Sequence, residues 1–415
     1  MPSPNAAGRP YAWLWALVVA AVLSQTAINL ARPLITYKVL ALGGDAVAVG
    51  VASASFALLP VAFAIGLGRI SDRASRLRVL LLAGLGLLAL NGGLLAVAPG
   101  LAVVVVGAAG LGMGHLCFTI AGQSAIAKLA PAARIDTAFG WFTAAFAVGQ
   151  LVGPLLGGFL LGSAAGVDNA DRLQDVNQAL LLAGAIALAS LPTCLVRFPA
   201  GRARPVRGST EGPGTGRSEP VRKILARPGV KANMLASLAL LATTDILLSF
   251  LPLMGEEAGV APVVVGALLA IRAGSTILSR LLLGPLRKRW SRDRLVFASL
   301  LGSAIGLTVT PLLLGSAWAA GLSLAFAGFF LGLGQPLTMT LVSQAVDPAS
   351  RGAALALRLL GNRVGQVVLP GAAGLVAAPL GPGGAVWMSC LALAVTAGVK
   401  LPAARRSRGT DDAGA

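Results

Sequence analysis

Long apolar runs recur along the whole chain, and no other feature constrains its fold as much. They lie near residues 12–36, 46–68, 79–98, 101–127, 137–162 and 177–197, and again near 232–254, 262–284, 294–314, 317–344, 352–377 and 384–402. Each can cross about 30 Å of hydrocarbon at about 1.5 Å per residue. No water is present at that depth to pair with backbone amides, so an apolar segment of this length must be a helix. The chain is 56% hydrophobic with 53 glycines among 415 residues, far from the apolar fraction of a soluble globule. We therefore expect an all-α membrane protein of twelve transmembrane helices. The stretch "WLWALVVAAVLSQTA" in the first run could pass for the core of a cleaved signal peptide. Removing it would leave eleven spans and destroy the internal repeat of the chain, so it is read as the first span.

The formal charge of +18 would suit nucleic acid if the basic residues clustered on a soluble face. They do not. With the amino terminus inside and helix ends counted with the loops, 26 of the 33 Lys and Arg fall on the cytoplasmic side, two (Lys38 and Arg172) fall outside, and five lie within spans. This bias sets an orientation with both termini cytoplasmic, and places Asp45, Asp168, Asp171, Asp175, Glu256 and Glu257 outside. The charge is a topology signal, and no nucleic-acid partner is expected. Cys117, Cys194 and Cys390 are isolated within spans, with no CxxC pair and no metal-ligand spacing. No metal and no cofactor are expected.

The stretch "GRISDRASRLRV" at 68–79 interrupts the apolar pattern, and it returns as "GPLRKRWSRDRL" at 284–295. An offset of 216 maps Gly68, Arg73, Ser75, Arg76 and Arg78 onto Gly284, Arg289, Ser291, Arg292 and Arg294. The same offset relates Val47, Val49 and Gly50 to Val263, Val265 and Gly266, and Gly149, Gln150, Val152 and Pro154 to Gly365, Gln366, Val368 and Pro370. In the fourth span it slips to 220, where "GLGMGH" faces "LGLGQ", which ends at Gln335. The expected organisation is two pseudo-symmetric six-helix bundles, 1–197 and 232–402, joined by a Pro-, Gly- and Ser-rich cytoplasmic linker at 198–231 and followed by a cytoplasmic tail at 403–415.

The turn between spans 2 and 3 sets Gly68, Asp72, Arg73 and Arg78 in the pattern G-x-x-x-D-R-x-G-x-R-R, with Ser75 and Leu77 departing from it. Span 5 reads "GQLVGPLLGG" and fits G-x-x-x-G-P-x-x-G-G at Gly149, Gly153, Pro154, Gly157 and Gly158. With these motifs and its repeat, the chain resembles the major facilitator superfamily over essentially its whole length. The resemblance implies two halves rocking about a central cavity lined by spans 1, 4, 7 and 10, with the charged turn serving as a cytoplasmic gate. The second copy of that turn has Lys288 where the acid would stand, which leaves it a plain positive loop. Through span 5 the chain resembles the drug/proton antiporter branch. Glycines at this spacing allow close helix approach, and proline bends the span by removing a backbone hydrogen bond; close packing alone is the alternative reading. Span 4 departs from the family, with Val106 and Ala109 where R-x-x-Q-G-x-G has Arg and Gln.

Charge inside the spans is costly and points to a cavity or a partner. Asp245, Arg272 and Arg363 lie roughly 15–20 Å deep at about 1.5 Å per residue. Arg280 and Arg358 lie nearer the cytoplasmic ends, where they can snorkel to water, and Arg32 lies near the outer edge of span 1, lining a vestibule or snorkelling outward. Helical spacing gives four polar stripes: Gln25, Asn29 and Arg32; His115, Thr119 and Gln123; Arg272, Thr276 and Arg280; and Arg358, Asn362 and Gln366. Asn29 plus 216 is Asp245, which makes the two pseudo-symmetric counterparts across the cavity. Asp245, the one acid within a span, is the expected proton-responsive group, with a fixed pair to Arg272 or Arg363 as the alternative. His115, the single histidine, is either a proton or substrate contact or a satisfied core residue.

These readings converge on a secondary transporter moving a small-molecule substrate by alternating access, coupled to protons and working as an efflux antiporter. The chain shows no HExxH, paired buried carboxylates or Walker loop, so an enzyme is not expected. Low Lys against high Arg and Ala points to a bacterial inner membrane, with the lipid bilayer as partner and a monomer as the expected state. The alternatives are uptake or exchange of an organic anion, drawing on the intramembrane arginines, and a non-transporting membrane sensor.

Overall fold

The computed structural model describes residues 12–71, 77–131, 134–164, 169–197, 221–347 and 350–411. The first half holds α1 (Ala12–Ala41), α2 (Ala46–Ser71), α3 (Leu77–Ala96), α4 (Leu101–Leu129), α5 (Ile135–Leu161) and α6 (Asn169–Ala189). The second holds α7 (Val230–Glu257), α8 (Pro262–Leu281), α9 (Arg292–Val309), α10 (Ala317–Gln344), α11 (Arg351–Leu380) and α12 (Pro382–Asp411). Short helices Leu191–Arg197, Val221–Ala226 and Leu283–Arg289 lie between these, and the described residues contain no strand. All twelve long helices carry a stretch long and apolar enough to cross a membrane.

The two halves repeat one packing scheme. In the first, α1 packs on α5 and α6, and α4 packs on α2 and α3; in the second, α7 packs on α11 and α12, and α10 on α8 and α9. The repeat reaches the backbone. Gly43 and Gly259, 216 residues apart, follow α1 and α7 with φ of 77° and 66°, a left-handed conformation that glycine adopts at no steric cost. Prolines lie inside α1, α2, α5, α7, α10 and α11. Neighbouring helices re-satisfy the backbone groups that proline frees in such bundles.

Because the twelve helices alternate in direction, both chain termini and the connection between the halves share one end, here the terminal end; the other is the far end. The most extensive contacts between the halves are two crossings, α2 with α11 and α5 with α8, and α7 also meets α1 and α2. Both crossings are glycine contacts, and both lie toward the far end. A β-carbon on Gly158 would stand 2.6 Å from the Pro262 carbonyl oxygen and one on Gly50 would stand 2.8 Å from that of Pro370. Gly158 faces Gly266 and Gly50 faces Gly374, and the offset of 216 carries one pair onto the other.

Several expected boundaries move. The spans ending at 36 and beginning at 177 leave Lys38 and Arg172 in loops, yet both are buried helical residues, 1% and 4% exposed. Lys38 donates to the Ala96 carbonyl at 3.1 Å and to Asn177 Oδ1 at 2.5 Å. Arg172 donates to the carbonyls of Leu161 and Ala164 at 3.5 and 3.3 Å. Hydropathy ended these helices at the first charge, whereas buried carbonyls and carboxamides let them continue. The last part of the expected linker is also ordered into the bundle, since Ile224 packs with Val230, Val342, Val346 and Ala354.

Candidate functional site

Asp245, midway along α7, faces the first half. Its Oδ1 pairs with Arg32 of α1 at 2.6 Å, and its Oδ2 accepts from Gln366 Nε2 of α11 at 2.6 Å. Arg363 NH1 donates to the other end of that carboxamide, Gln366 Oε1, at 3.0 Å. The result is a buried chain from α1 through α7 to α11 with Arg32 and Asp245 side chains 13% and 6% exposed. In the alternative reading, a fixed pair with Arg272 or Arg363, the partner is therefore corrected to Arg32, with Arg363 acting through Gln366. Arg32 neither lines an open vestibule nor snorkels outward. The sequence did hold the signal: Asn29 is the repeat counterpart of Asp245, and Arg32 lies three residues on, about one turn along the same face.

The first half supports Arg32 from behind. Its guanidinium carbon lies 4.7 Å from the centroid of the Phe56 ring, a cation–π contact. Phe56 packs against His115 of α4 at 6.0 Å between centroids, and His115 against Phe146 of α5 at 6.0 Å. Gln25 Nε2 lies 3.4 Å from His115 Nδ1. Asn29 turns back to its own helix and donates to the Gln25 carbonyl at 2.8 Å, so it does not reach across toward Asp245 as its repeat position suggests. The span 5 motif sets the register of this stripe. Gly149 lies against Gln25 and Thr26, Gly153 against Asn29 and Leu30, and Gly157 against Leu30. Pro154 backs Gly266, and Gly158 forms the crossing to α8.

Toward the far end the interface is sealed by hydroxyls. Thr36 Oγ1 donates to the Ser249 carbonyl at 2.9 Å, and Ser249 Oγ donates to Ser53 Oγ at 2.9 Å. The space among Arg32, Thr36, Ser53, Phe56 and Ser249 is about 10 Å³, room for one water at most. Beyond this seal a cavity of about 520 Å³ is lined by Tyr37, Asp45, Arg172, Glu256 and Glu257 among others, and Arg172 pairs with Glu256 of the other half at 3.2 Å.

Toward the terminal end a second polar cluster joins α7, α10 and α11. Arg358 NH2 donates to Gln335 Oε1 at 2.8 Å and to its carbonyl at 3.2 Å, and Gln335 Nε2 donates to the Ser237 carbonyl at 2.7 Å. Arg358 is 5% exposed, so the expectation that it snorkels is wrong; Gln335 satisfies it within the bundle. Arg280 is exposed at the end of α8. Thr276 donates to the Gly328 carbonyl at 2.9 Å and serves the α8–α10 contact. Arg272 is 3% exposed with an unpartnered Nε, Asn362 is 4% exposed with an unpartnered Oδ1, and Thr119 Oγ1 is likewise unpartnered. Gln123 is exposed. Of the gate motif, Gly68 is helical at the end of α2, and Arg78 donates to the Leu195 carbonyl. Asp72 and Arg73 lie outside the described residues.

Sequence reasoning missed Phe56, Ser249, Glu256 and Arg172 as contributors. An aromatic and a serine in an apolar helix carry no distinguishing pattern. Arg172 and Glu256 were visible as charges but not as a pair, because they belong to different halves.

Comparison with known proteins agrees with this architecture. The family model described as Major Facilitator Superfamily matches residues 17–244 and again 233–414. No curated protein matches the sequence. Among solved structures, a bacterial homolog of the human lysosomal transporter Spinster, inward-facing and unoccupied, is 17% identical with a TM-score of 0.79, covering 98% of this chain and 99% of that one. The nucleoside transporter NupG is 14% identical with a TM-score of 0.75, covering 94% and 99%. A D-xylose-proton symporter is 16% identical with a TM-score of 0.73, covering 94% and 97%. At these identities the likeness is one of fold.

Proposed function

Since the chain belongs to the major facilitator superfamily and is a multi-pass membrane transporter of twelve spans, we propose that it moves a small organic molecule by alternating access, coupled to protons through Asp245. The observation that carries this reading is the ion pair at 2.6 Å between Arg32 and Asp245, one partner from each half. If the halves rock apart at the far end, α1 and α7 separate and this pair must break. A buried carboxylate separated from its arginine is strongly disfavoured, whereas a protonated one is not. Proton binding at Asp245 then becomes the condition for opening.

The far-end seal, formed by the two glycine crossings and by Thr36, Ser249 and Ser53, supports assigning this structure to the state closed at that end. We place the terminal end in the cytoplasm of a bacterial cell on the bias of Lys and Arg, which makes this the inward-facing state of a monomeric carrier. Export is favoured by the resemblance of the span 5 motif to the drug/proton antiporter branch; the glycines themselves form the α1 contact and the α8 crossing, as close packing alone also requires. Uptake or exchange of an organic anion is a second reading, favoured by the surplus of Arg32, Arg272 and Arg363 over one carboxylate.

Proteoliposomes with an imposed pH gradient, screened with cationic, neutral and anionic organic molecules, test the proposal. The expected result is gradient-driven flux that Asp245→Asn abolishes while exchange down a substrate gradient persists. Full gradient-driven flux in a well-inserted Asp245→Asn protein would overturn the coupling role.

A further inference from the structure

The charges buried at mid-depth do not balance. Arg363 and Arg272 both lie within electrostatic reach of Asp245 and Arg32, so three guanidinium groups share a single carboxylate. Each oxygen of that carboxylate already has one partner. Oδ1 is taken by Arg32 and Oδ2 by Gln366. Arg363 is anchored on Gln366 Oε1. Arg272 is the one left over: it is 3% exposed, and its guanidinium makes no hydrogen bond among the described residues.

Arg358 shows by contrast what a structural arginine looks like in this bundle. It too has an orphan Nε, but its NH2 is held by both oxygens of Gln335. Nor is the backbone at Arg272 free to shift. The backbone of α8 at Arg272 lies directly against Gly328 of α10, and Thr276 fastens the next turn to the Gly328 carbonyl at 2.9 Å. A permanently charged fork donor held inside the bundle without a protein acceptor is open to an anionic partner. Its shape and charge match a planar or tetrahedral oxyanion, which a guanidinium holds through two parallel hydrogen bonds.

We propose that Arg272 is the anchor for an oxyanion group of the transported molecule, and that the substrate is therefore a small organic anion bearing a carboxylate or phosphate. This rests on the reading of the chain as an alternating-access carrier with Asp245 as its coupling acid. The anion seated on Arg272 adds the negative charge that the cluster lacks and competes with Asp245 for the neighbouring arginines. Substrate binding and release of the Arg32–Asp245 pair are then linked.

Thermal unfolding of the purified full chain tests the seat without relying on flux. The probes are inorganic phosphate, acetate and benzoate at millimolar concentration, with benzyl alcohol and benzylamine as neutral and cationic counterparts of benzoate. The expected result is stabilisation by at least one oxyanion and by neither counterpart. Arg272→Gln should weaken that binding on the order of tenfold to a hundredfold, and Arg272→Lys should fall between the two because it keeps the charge and loses the fork. Without ligand, Arg272→Gln should melt no lower than the wild type, since it removes an unpaired buried charge. No stabilisation by any oxyanion, or a ligand-free Arg272→Gln protein that melts clearly lower, overturns the proposal. Oxyanion binding that survives while a pH gradient drives no flux would sink the coupling role of Asp245 and leave the seat intact. Gradient-driven flux of a neutral or cationic molecule through Arg272→Gln would do the reverse.

Discussion

Gly158 of α5 lies against Gly266 of α8 so closely that a β-carbon on Gly158 would meet the Pro262 carbonyl oxygen at 2.6 Å, and Gly374 repeats this against Gly50 with a β-carbon 2.8 Å from the Ala46 carbonyl. Both contacts join the halves near the far end. A side chain at either point forces backbone apart from backbone, and overpacking of this kind costs about 1–3 kcal/mol. Gly158→Leu should therefore shift the two-state population toward opening at the far end, roughly five- to a hundredfold. A reporter cysteine at Ala41, which lines the far-end cavity, would then react faster with a polar thiol reagent. Unchanged reactivity would show that the crossing is not part of the gate.

Gly153, five residues away in the same motif, should behave differently. Its β-carbon would meet Asn29 at 2.7 Å, inside the first half. Gly153→Leu should lower the melting temperature and flux together, without biasing which end is open. A loss of flux with unaltered melting but altered cysteine labelling would assign Gly153 to the gate as well.

The Arg32–Asp245 pair predicts an asymmetry between its two removals. Asp245→Asn strands Arg32 and deprives Arg363 and Arg272 of the one carboxylate nearby, so its cost should reach the ~3–5 kcal/mol expected when a buried pair is broken. Arg32→Gln leaves Asp245 with Gln366 and the two other arginines, and should cost less. Chemical denaturation of both variants and of the double variant checks this; equal losses would mean that the other arginines do not share the charge of Asp245.

At the far mouth, Arg172 keeps the carbonyls of Leu161 and Ala164 even without Glu256, whose own side chain is 25% exposed. Glu256→Gln should therefore cost the fold less than a fully stranded buried charge would, because two carbonyls still hold Arg172, while easing opening between the halves. Faster labelling at the Ala41→Cys reporter, with a modest fall in melting temperature, is the expected signature. A large fall in melting temperature would make the pair structural.

Lys400 of α12 is 1% exposed and is held by Asn233 Oδ1 at 2.9 Å and Asp293 Oδ1 at 2.5 Å, the latter on a side chain 29% exposed. Asp293→Asn leaves the buried ammonium with neutral oxygens alone and should destabilise the second half by a few kcal/mol. Lys400→Met leaves Asp293 beside water and should be the milder change. Melting of the two variants side by side decides the order.

Length, hydropathy and an offset of 216 were enough to fix twelve helices and two parallel halves, because the bilayer admits few backbone solutions and a duplicated chain repeats its packing. Even the matched glycines of the interface stood in register in the sequence: Gly50 with Gly266, and Gly158 with Gly374. The sequence also marked Asp245 and the arginines, since any charge at that depth must have a cavity or a partner. Pairing was another matter. Asp245 sits 213 residues from Arg32, and Arg172 is 84 residues from Glu256. Helical periodicity says which residues share a face of one helix, but it carries no information about which face of a distant helix stands opposite. That is decided by how far two halves rotate against each other, and only the packed tertiary structure contains it. The same limit hid the buried Lys38, Arg172 and Arg358: hydropathy assigns a charge to water unless a carbonyl or carboxamide from another helix is known to be waiting.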